Sequence, residues 1–232
     1  DINSSTGVTG GLKQELNHYK ITNPITCTAP VGALTIVKAF EGVPAGSGAI
    51  DFGGGYQCLL DGETVASGTW SRNGAGAATL TPATGTLAPD NLPAGATCTA
   101  TETSPTGSAG LPNASWSWGP PTVSGGVTIV ADQTQTITVT NRASQGFGSF
   151  AVTKNLVGAA DAALTYAGTW ECAFGDDVVA SGDWGPIVAG GTWNSPSSIP
   201  LGAACSVLTE TRPGHPVAGD HSYQWDGDAD LG

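Results

Sequence analysis

The chain has 232 residues, with 7 Lys or Arg against 19 Asp or Glu and a formal net charge of −12. That balance excludes nucleic acid and anionic membrane surfaces as electrostatic partners. Gly (35) and Pro (15) are abundant and only 11% of residues are charged, a composition of short strands and turns that argues against a helical protein.

No stretch approaches about 18 consecutive apolar residues, so nothing here inserts into a membrane. Met is absent even at position 1, so we read the chain as a mature or trimmed product, with any signal peptide or wall anchor out of view. No window carries a sustained 3.6-residue apolar period, whereas two-residue alternation recurs along the chain. The expected fold class is all-β.

In chain order, GGLKQELNHYKITNPITCTAP (10–30) comes first and contains the short run YKITN ending at Asn23. LTIVKAF (34–40) alternates strongly, with Lys38 on the same face as Leu34, Ile36 and Phe40. YQCLLDGETVASGTW (56–70), LPAGATCTATETSP (92–105), SWSW (115–118) and VTIVADQTQTITVTN (127–141) follow. RASQGFG (142–148) reads as a joint, after which the pattern starts again. FAVTKNL (150–156) places Lys154 beside Phe150, Val152 and Leu156, and WECAFGDDVVASGDW (170–184) aligns with residues 56–70. IPLGAACSVLTETRP (199–213) and SYQW (222–225) complete the second series.

Four ordered blocks therefore occur twice, which indicates two copies of one domain. We expect residues 31–142 and 147–232 to form the copies, with residues 1–30 supplying the closing strand of an adjoining or neighbouring-molecule domain. The spacing supports this, since Lys38 to Lys154 is as far as Lys154 through Gly232 to the Lys38 of a second copy. Two explanations stay open. The sequence is a window on a longer tandem array, or residues 1–30 of one molecule complete copy two of the next, building a head-to-tail fibre by strand donation.

Five cysteines are present. Each copy holds two in strand-like runs, and these read as disulfides Cys58–Cys98 and Cys172–Cys205 of a secreted protein. Cys27 is left over, and its partner stays open. Paired zinc spacings are absent and His18, His215 and His221 are scattered, so no metal or other cofactor is expected. DGDAD (226–230) starts like a calcium loop but lacks the closing Glu, and we read it as a turn. GFGSF opens no helix, which removes a nucleotide-binding reading.

A lysine placed twice on an apolar strand face needs an explanation, because burying an ammonium is costly. Each copy offers a strand Lys, a Glu in a TET block and, in copy one, an Asn closing the last strand: Lys38, Glu102 and Asn141. This order resembles the CnaB-type, prealbumin-like and Ig-like repeat domains of Gram-positive and actinobacterial surface proteins and pilins. The resemblance implies tandem β-sandwiches in which the first-strand Lys and last-strand Asn form a spontaneous isopeptide bond, assisted by a buried Glu. In copy two it implies Lys154 and Glu210, with Asn23 as the Asn supplied from outside. Copy two departs from the pattern, since Cys98 and Glu102 are four positions apart while Cys205 and Glu210 are five apart. One extra residue reverses a strand's facing unless a bulge absorbs it.

The functional expectation is a structural extracellular stalk or pilus-like filament on a bacterial cell surface. Its partners would be copies of itself or adjoining repeats. The chemistry is single-turnover self-crosslinking, so no enzyme is expected: Glu102 and Glu210 assist and Lys38, Asn141, Lys154 and Asn23 are joined. The alternative is an adhesin module that recognises a host glycan or protein through loops or its seven tryptophans.

Overall fold

A computed structural model describes residues 29–103, 105 and 107–231. All regular structure among them is β, and they form no helix long and apolar enough to cross a membrane. The protein is thus all-β, and its sheets pack in the manner of an Ig-like β-sandwich.

The first repeat comprises β1 (Val31–Glu41), β2 (Asp51–Leu60), β3 (Glu63–Asn73), β4 (Gly76–Ala77), β5 (Thr79–Pro82) and β6 (Leu92–Pro93). It continues with β7 (Thr97–Ala100), β8 (Trp116–Trp118), β9 (Thr122–Val123), β10 (Val127–Thr128) and β11 (Thr134–Gln145). One sheet runs β4-β1-β11-β8, with β6 added on β1 and β9 on β11, and the other runs β10-β7-β2-β3-β5. β1 and β11 are parallel, in register from Ala33 opposite Thr134 to Glu41 opposite Arg142. The β2–β3 hairpin turns at Asp61-Gly62, both at positive φ, as a two-residue turn matched to strand twist requires. Alternation on β1 and β11 sends Leu34, Ile36, Ile137 and Val139 inward against Phe52, Tyr56 and Trp70. Cys58 and Cys98 face each other on β2 and β7 and are bonded.

The second repeat comprises β12 (Phe147–Gly148), β13 (Ala151–Thr153), β14 (Thr165–Phe174), β15 (Asp177–Val188), β16 (Thr192–Asn194), β17 (Ile199–Pro200) and β18 (Ala204–Thr211). Its sheet β15-β14-β18 repeats β3-β2-β7, down to the Cys172–Cys205 disulfide between β14 and β18. A separate core forms around Tyr166, Trp170, Trp184 and Ile199.

The other sheet of the second repeat is reduced to the pairs β12–β17 and β13–β16. Where FAVTKNL predicts a strand over residues 150–156, only Ala151–Thr153 forms one, and SYQW (222–225) stays irregular although WSW forms β8. The cause lies in the pairing. In the first repeat both β1 and β8 are held by β11, and among the described residues no strand takes that role beside β13.

The joint also differs from the expected RASQGFG loop. β11 continues through Gln145 because Ala143, Ser144 and Gln145 pair with Trp118, Ser117 and Trp116. Gly146 alone separates β11 from β12, donating its N–H to the Ser115 carbonyl (2.8 Å) and accepting from the Leu201 N–H (2.9 Å).

The two disulfides fit an oxidising, extracellular environment. Each closes a long loop, with sequence separations of 40 and 33. Replacing Cys58 and Cys98 together by Ala is expected to lower the stability of the first repeat by roughly 3–4 kcal/mol, read as a lowered midpoint in denaturant unfolding.

Candidate functional site

Strand alternation on β1 carries Lys38 to the same inner face as Leu34 and Ile36, and its side chain is only 1% exposed. On β11, Asn141 lies two residues beyond Val139, the residue opposite Lys38, and shares Val139's inward face. Asn141 is fully buried. The Lys38 Nζ donates to the Val139 carbonyl (3.1 Å) and to the Asn141 Oδ1. Glu102 Oε2 sits 3.5 Å from the same Nζ, with both side chains wholly removed from solvent. Phe52 and Phe40 close over the amine, with ring centroids at 4.7 and 5.3 Å. Trp118 packs edge-on to Phe52 and tilted against Phe40, sealing the site further. The structure thus brings Lys38, Glu102 and Asn141 into one contact.

Their electrostatics follow from burial. Loss of water pushes the Lys38 amine below its ordinary pKa, opposed by the nearby Glu102. The same loss pushes the Glu102 carboxyl upward, opposed by Lys38 and, more weakly, by Asn141. Both shifts move the pair towards its uncharged forms. Among the described residues neither Glu102 oxygen nor the Asn141 Nδ2 finds a hydrogen-bond partner of acceptable geometry, a costly condition for buried polar atoms. Chemically, this is an amine next to a carboxamide and a carboxyl group, in a dry apolar pocket.

Glu102 follows β7, and sequence reasoning missed what holds it. Gly54 on β2 faces the turn into the TET block: a Cβ there would lie 1.9 Å from the Thr101 carbonyl oxygen and 2.8 Å from the Glu102 Cα. Only glycine permits so close a backbone approach. Trp70 Nε1 then donates to that Thr101 carbonyl (2.8 Å). The second repeat uses the same device, since a Cβ on Gly168 would lie 1.9 Å from the Thr209 carbonyl oxygen and Trp184 Nε1 donates to it (3.2 Å). The sequence marks these two glycines only by their equal distance before the aligned Cys58 and Cys172, and does not show what they contact.

In the second repeat Lys154 Nζ lies 2.7 Å from Glu210 Oε1, with the side chains 17% and 4% exposed. The extra residue between Cys205 and Glu210 is absorbed by a bulge: Thr169 pairs with Thr209, Trp170 pairs with Val207, and Leu208 is pushed out to the surface. Glu210 therefore keeps the inward facing of Glu102. Tyr166 occupies the position of Phe52, its ring 4.8 Å from Lys154 Nζ. The Asn23 and Cys27 assignments lie outside the described residues. Trp70, Trp170 and Trp184 are buried, while Trp118, Trp193 and Trp225 pack against the cores. Among the described residues no group of three or more His, Cys, Asp or Glu is placed to hold a metal ion.

A family model described as "Domain of unknown function (DUF5979)" matches residues 34–144 and again residues 150–231. Each match spans the Lys, the Gly, both Cys, the Trp and the Glu of its repeat. No curated protein matches the chain.

Gly54→Ala is expected to force the TET backbone off β2 and to destabilise the first repeat by about 1–3 kcal/mol. Gly168→Ala should do the same to the second repeat. Thermal unfolding of the two variants checks both outcomes, and an unchanged midpoint would refute the close-approach argument.

Proposed function

We propose, for a chain that belongs to the DUF5979 family through both of its repeats, a structural role as a segment of an extracellular stalk or pilus-like filament. In this reading its first repeat locks itself by an amide bond between Lys38 and Asn141. The observation that carries it is the joint burial of Lys38, Glu102 and Asn141. It agrees with the resemblance of the Lys, Glu and Asn order to CnaB-type domains of bacterial surface proteins.

The chemistry follows from the site. Desolvation favours the neutral amine of Lys38, which is nucleophilic, whereas an ammonium is not. A protonated Glu102, turned towards the Asn141 carboxamide oxygen as the reaction proceeds, would donate to it and draw electron density from its carbon. Nζ attacks Cγ, the Cγ–Nδ2 bond breaks, and the departing nitrogen takes a proton from Nζ and leaves as ammonia. Confinement on adjacent strands supplies an effective concentration that reaches about 10⁵ M or more in well-oriented systems. Departure of Nδ2 also removes a buried donor that has no partner. The reaction occurs once per site, so the protein is a self-crosslinking scaffold and turns over no substrate.

A shaft is the natural use of such a bond. It would tie the first strand of the repeat to the last, so tension would pass through a covalent link instead of peeling the β1–β11 ladder. The Cys58–Cys98 and Cys172–Cys205 disulfides each join adjacent strands within the sheet that does not carry the lysine. On this reading residues 31–142 and 147–232 are the two mechanical units, and their partners are further copies or adjoining repeats. Burial and core packing of six of the tryptophans favours the shaft over sugar recognition.

Intact mass spectrometry of the reduced, denatured monomer tests this. The chain should weigh about 17 Da less than its sequence, the mass of one ammonia expelled by nucleophilic attack, with a peptide joining Lys38 to Asn141. Glu102→Ala should restore the full mass while leaving the Cys58–Cys98 disulfide in place. A wild-type monomer of full mass overturns the proposal.

A further inference from the structure

The second repeat holds the amine and the carboxyl of the site; Asn155 lines the same cavity, but among the described residues no hydrogen bond joins a carboxamide to the pair as Asn141 is joined to Lys38. We propose that β13, Lys154 and Glu210 form an open half-site that receives a β-strand from a second copy of this chain, whose Asn23 becomes bonded to Lys154. The inference rests on the crosslinking chemistry proposed for the first repeat and extends it to assembly.

Four observations support the half-site. First, β13 pairs with β16 on one side, and among the described residues nothing takes the place on its other side that β11 takes beside β1. Second, a cavity of about 110 Å³ lies beside the pair, lined by Val152, Lys154, Asn155, Glu210, Asp230 and Leu231, and a groove of about 310 Å³ continues along Val152 and Val207. Third, the bulge at Leu208 preserves the inward facing of Glu210 despite the inserted residue, so the acid stays aimed at Lys154. Fourth, Tyr166, whose ring lies 4.8 Å from Lys154 Nζ, has a buried hydroxyl with no hydrogen-bond partner among the described residues.

The occupant is identified by the order of the repeat. In the first repeat the strand that bears Asn141 ends just ahead of the next Lys strand, with 13 positions from Asn141 to Lys154. The segment that stands in that place ahead of β1 is YKITN, with Asn23 15 positions before Lys38. Further upstream, Gly7-Val8-Thr9 repeats Gly126-Val127-Thr128, the strand that covers β7 at Cys98. Residues 1–28 thus carry, in order, both sequence pieces that the second repeat needs to close β18 and β13. Coming from a second copy, they would add a strand along an open edge, where main-chain hydrogen bonds supply affinity and alternate side chains supply register.

Docking would also create the reactive state. At present the Lys154–Glu210 pair is partly reached by solvent. A strand laid over it would remove that water, the condition in which Lys38 and Glu102 already sit. A proton then passes from Lys154 Nζ to the Glu210 carboxylate, and the neutral amine attacks Asn23 Cγ. The Cγ–Nδ2 bond breaks, and the leaving nitrogen takes one proton from Nζ and one from Glu210, departing as ammonium. Lys154 and Asn23 end joined by an amide and Glu210 ends ionised.

The test uses the full 232-residue chain at rising concentration, denatured and fully reduced so that any Cys27 bridge is removed. A ladder of covalent multimers is expected, with about 17 Da lost per added link as ammonia leaves and a peptide joining Lys154 to Asn23. Asn23→Ala alone and Lys154→Arg alone should each abolish the ladder. Mixing those two variants should give one covalent heterodimer and nothing larger, because each supplies only one half of the bond. Monomers alone at all concentrations, or a ladder that survives Asn23→Ala, overturns the inference. The mass loss within the monomer from Lys38 and Asn141 is read in the same spectra, so failure of the assembly step is separable from failure of the intramolecular bond.

Discussion

Parallel pairing of β1 with β11 is the constraint from which the site follows. It joins residues 103 positions apart in the sequence, Lys38 and Asn141. Such non-local pairing is costly in chain entropy, because the intervening loop must be closed before contacts reward it. The three polar groups meet only where that pairing has formed, so any reaction between them depends on folding. The aromatic lid of Phe40, Phe52 and Trp118 belongs to the same event, since Trp118 is brought to the site by β8 pairing with the end of β11.

The two repeats separate what is local from what is not. The β3-β2-β7 sheet and its counterpart β15-β14-β18 are alike, even to the glycine that admits a carbonyl and the tryptophan that bonds it. These sheets rest on a hairpin of adjacent strands and a disulfide, both contained within the repeat. The opposite sheets differ because β1 has a long parallel partner and β13 lacks one among the described residues. Lys154 consequently sits just past a three-residue strand, partly solvated, while Lys38 lies deep in an eleven-residue one. One lysine is in a finished pocket and the other beside an unfinished one.

Alternation made much of this legible. LTIVKAF placed Lys38 on an apolar face, TITVTN marked Asn141 as the Asn closing the last strand, and the doubled order of Lys, Cys, Trp, Cys and Glu marked the repeat. What periodicity could not supply was the state of a strand with no neighbour: FAVTKNL has the same pattern as LTIVKAF yet yields only Ala151–Thr153, because a strand is stabilised across its ladder and not along its own length. The bulge at Leu208 was posed by the spacing of Cys205 and Glu210 but resolved only by the register. The Gly54 contact was hidden for a different reason. A glycine amid DFGGGYQ carries no mark of which neighbour makes its missing Cβ necessary until the Thr101 carbonyl is seen against it. RASQ read as a loop because it is polar, yet it is strand, held by the backbone of Trp116–Trp118.

The lysine content of the chain gives the energetics their direction. An acidic protein with four lysines has no solvation reason to bury one of them. A buried, incompletely bonded Lys–Glu pair costs several kcal/mol per ion before any Coulombic return, and here an orphaned carboxamide nitrogen is added. Left unreacted, the trio is a weak point in an otherwise apolar core. Were it converted to an amide with loss of ammonia, it would become a neutral link whose remaining N–H could donate to Glu102, and the cost of the unreacted state would be removed in one direction. Stability gained that way resides in a covalent bond, so it would persist under tension and dilution that a ladder of strand hydrogen bonds would not survive.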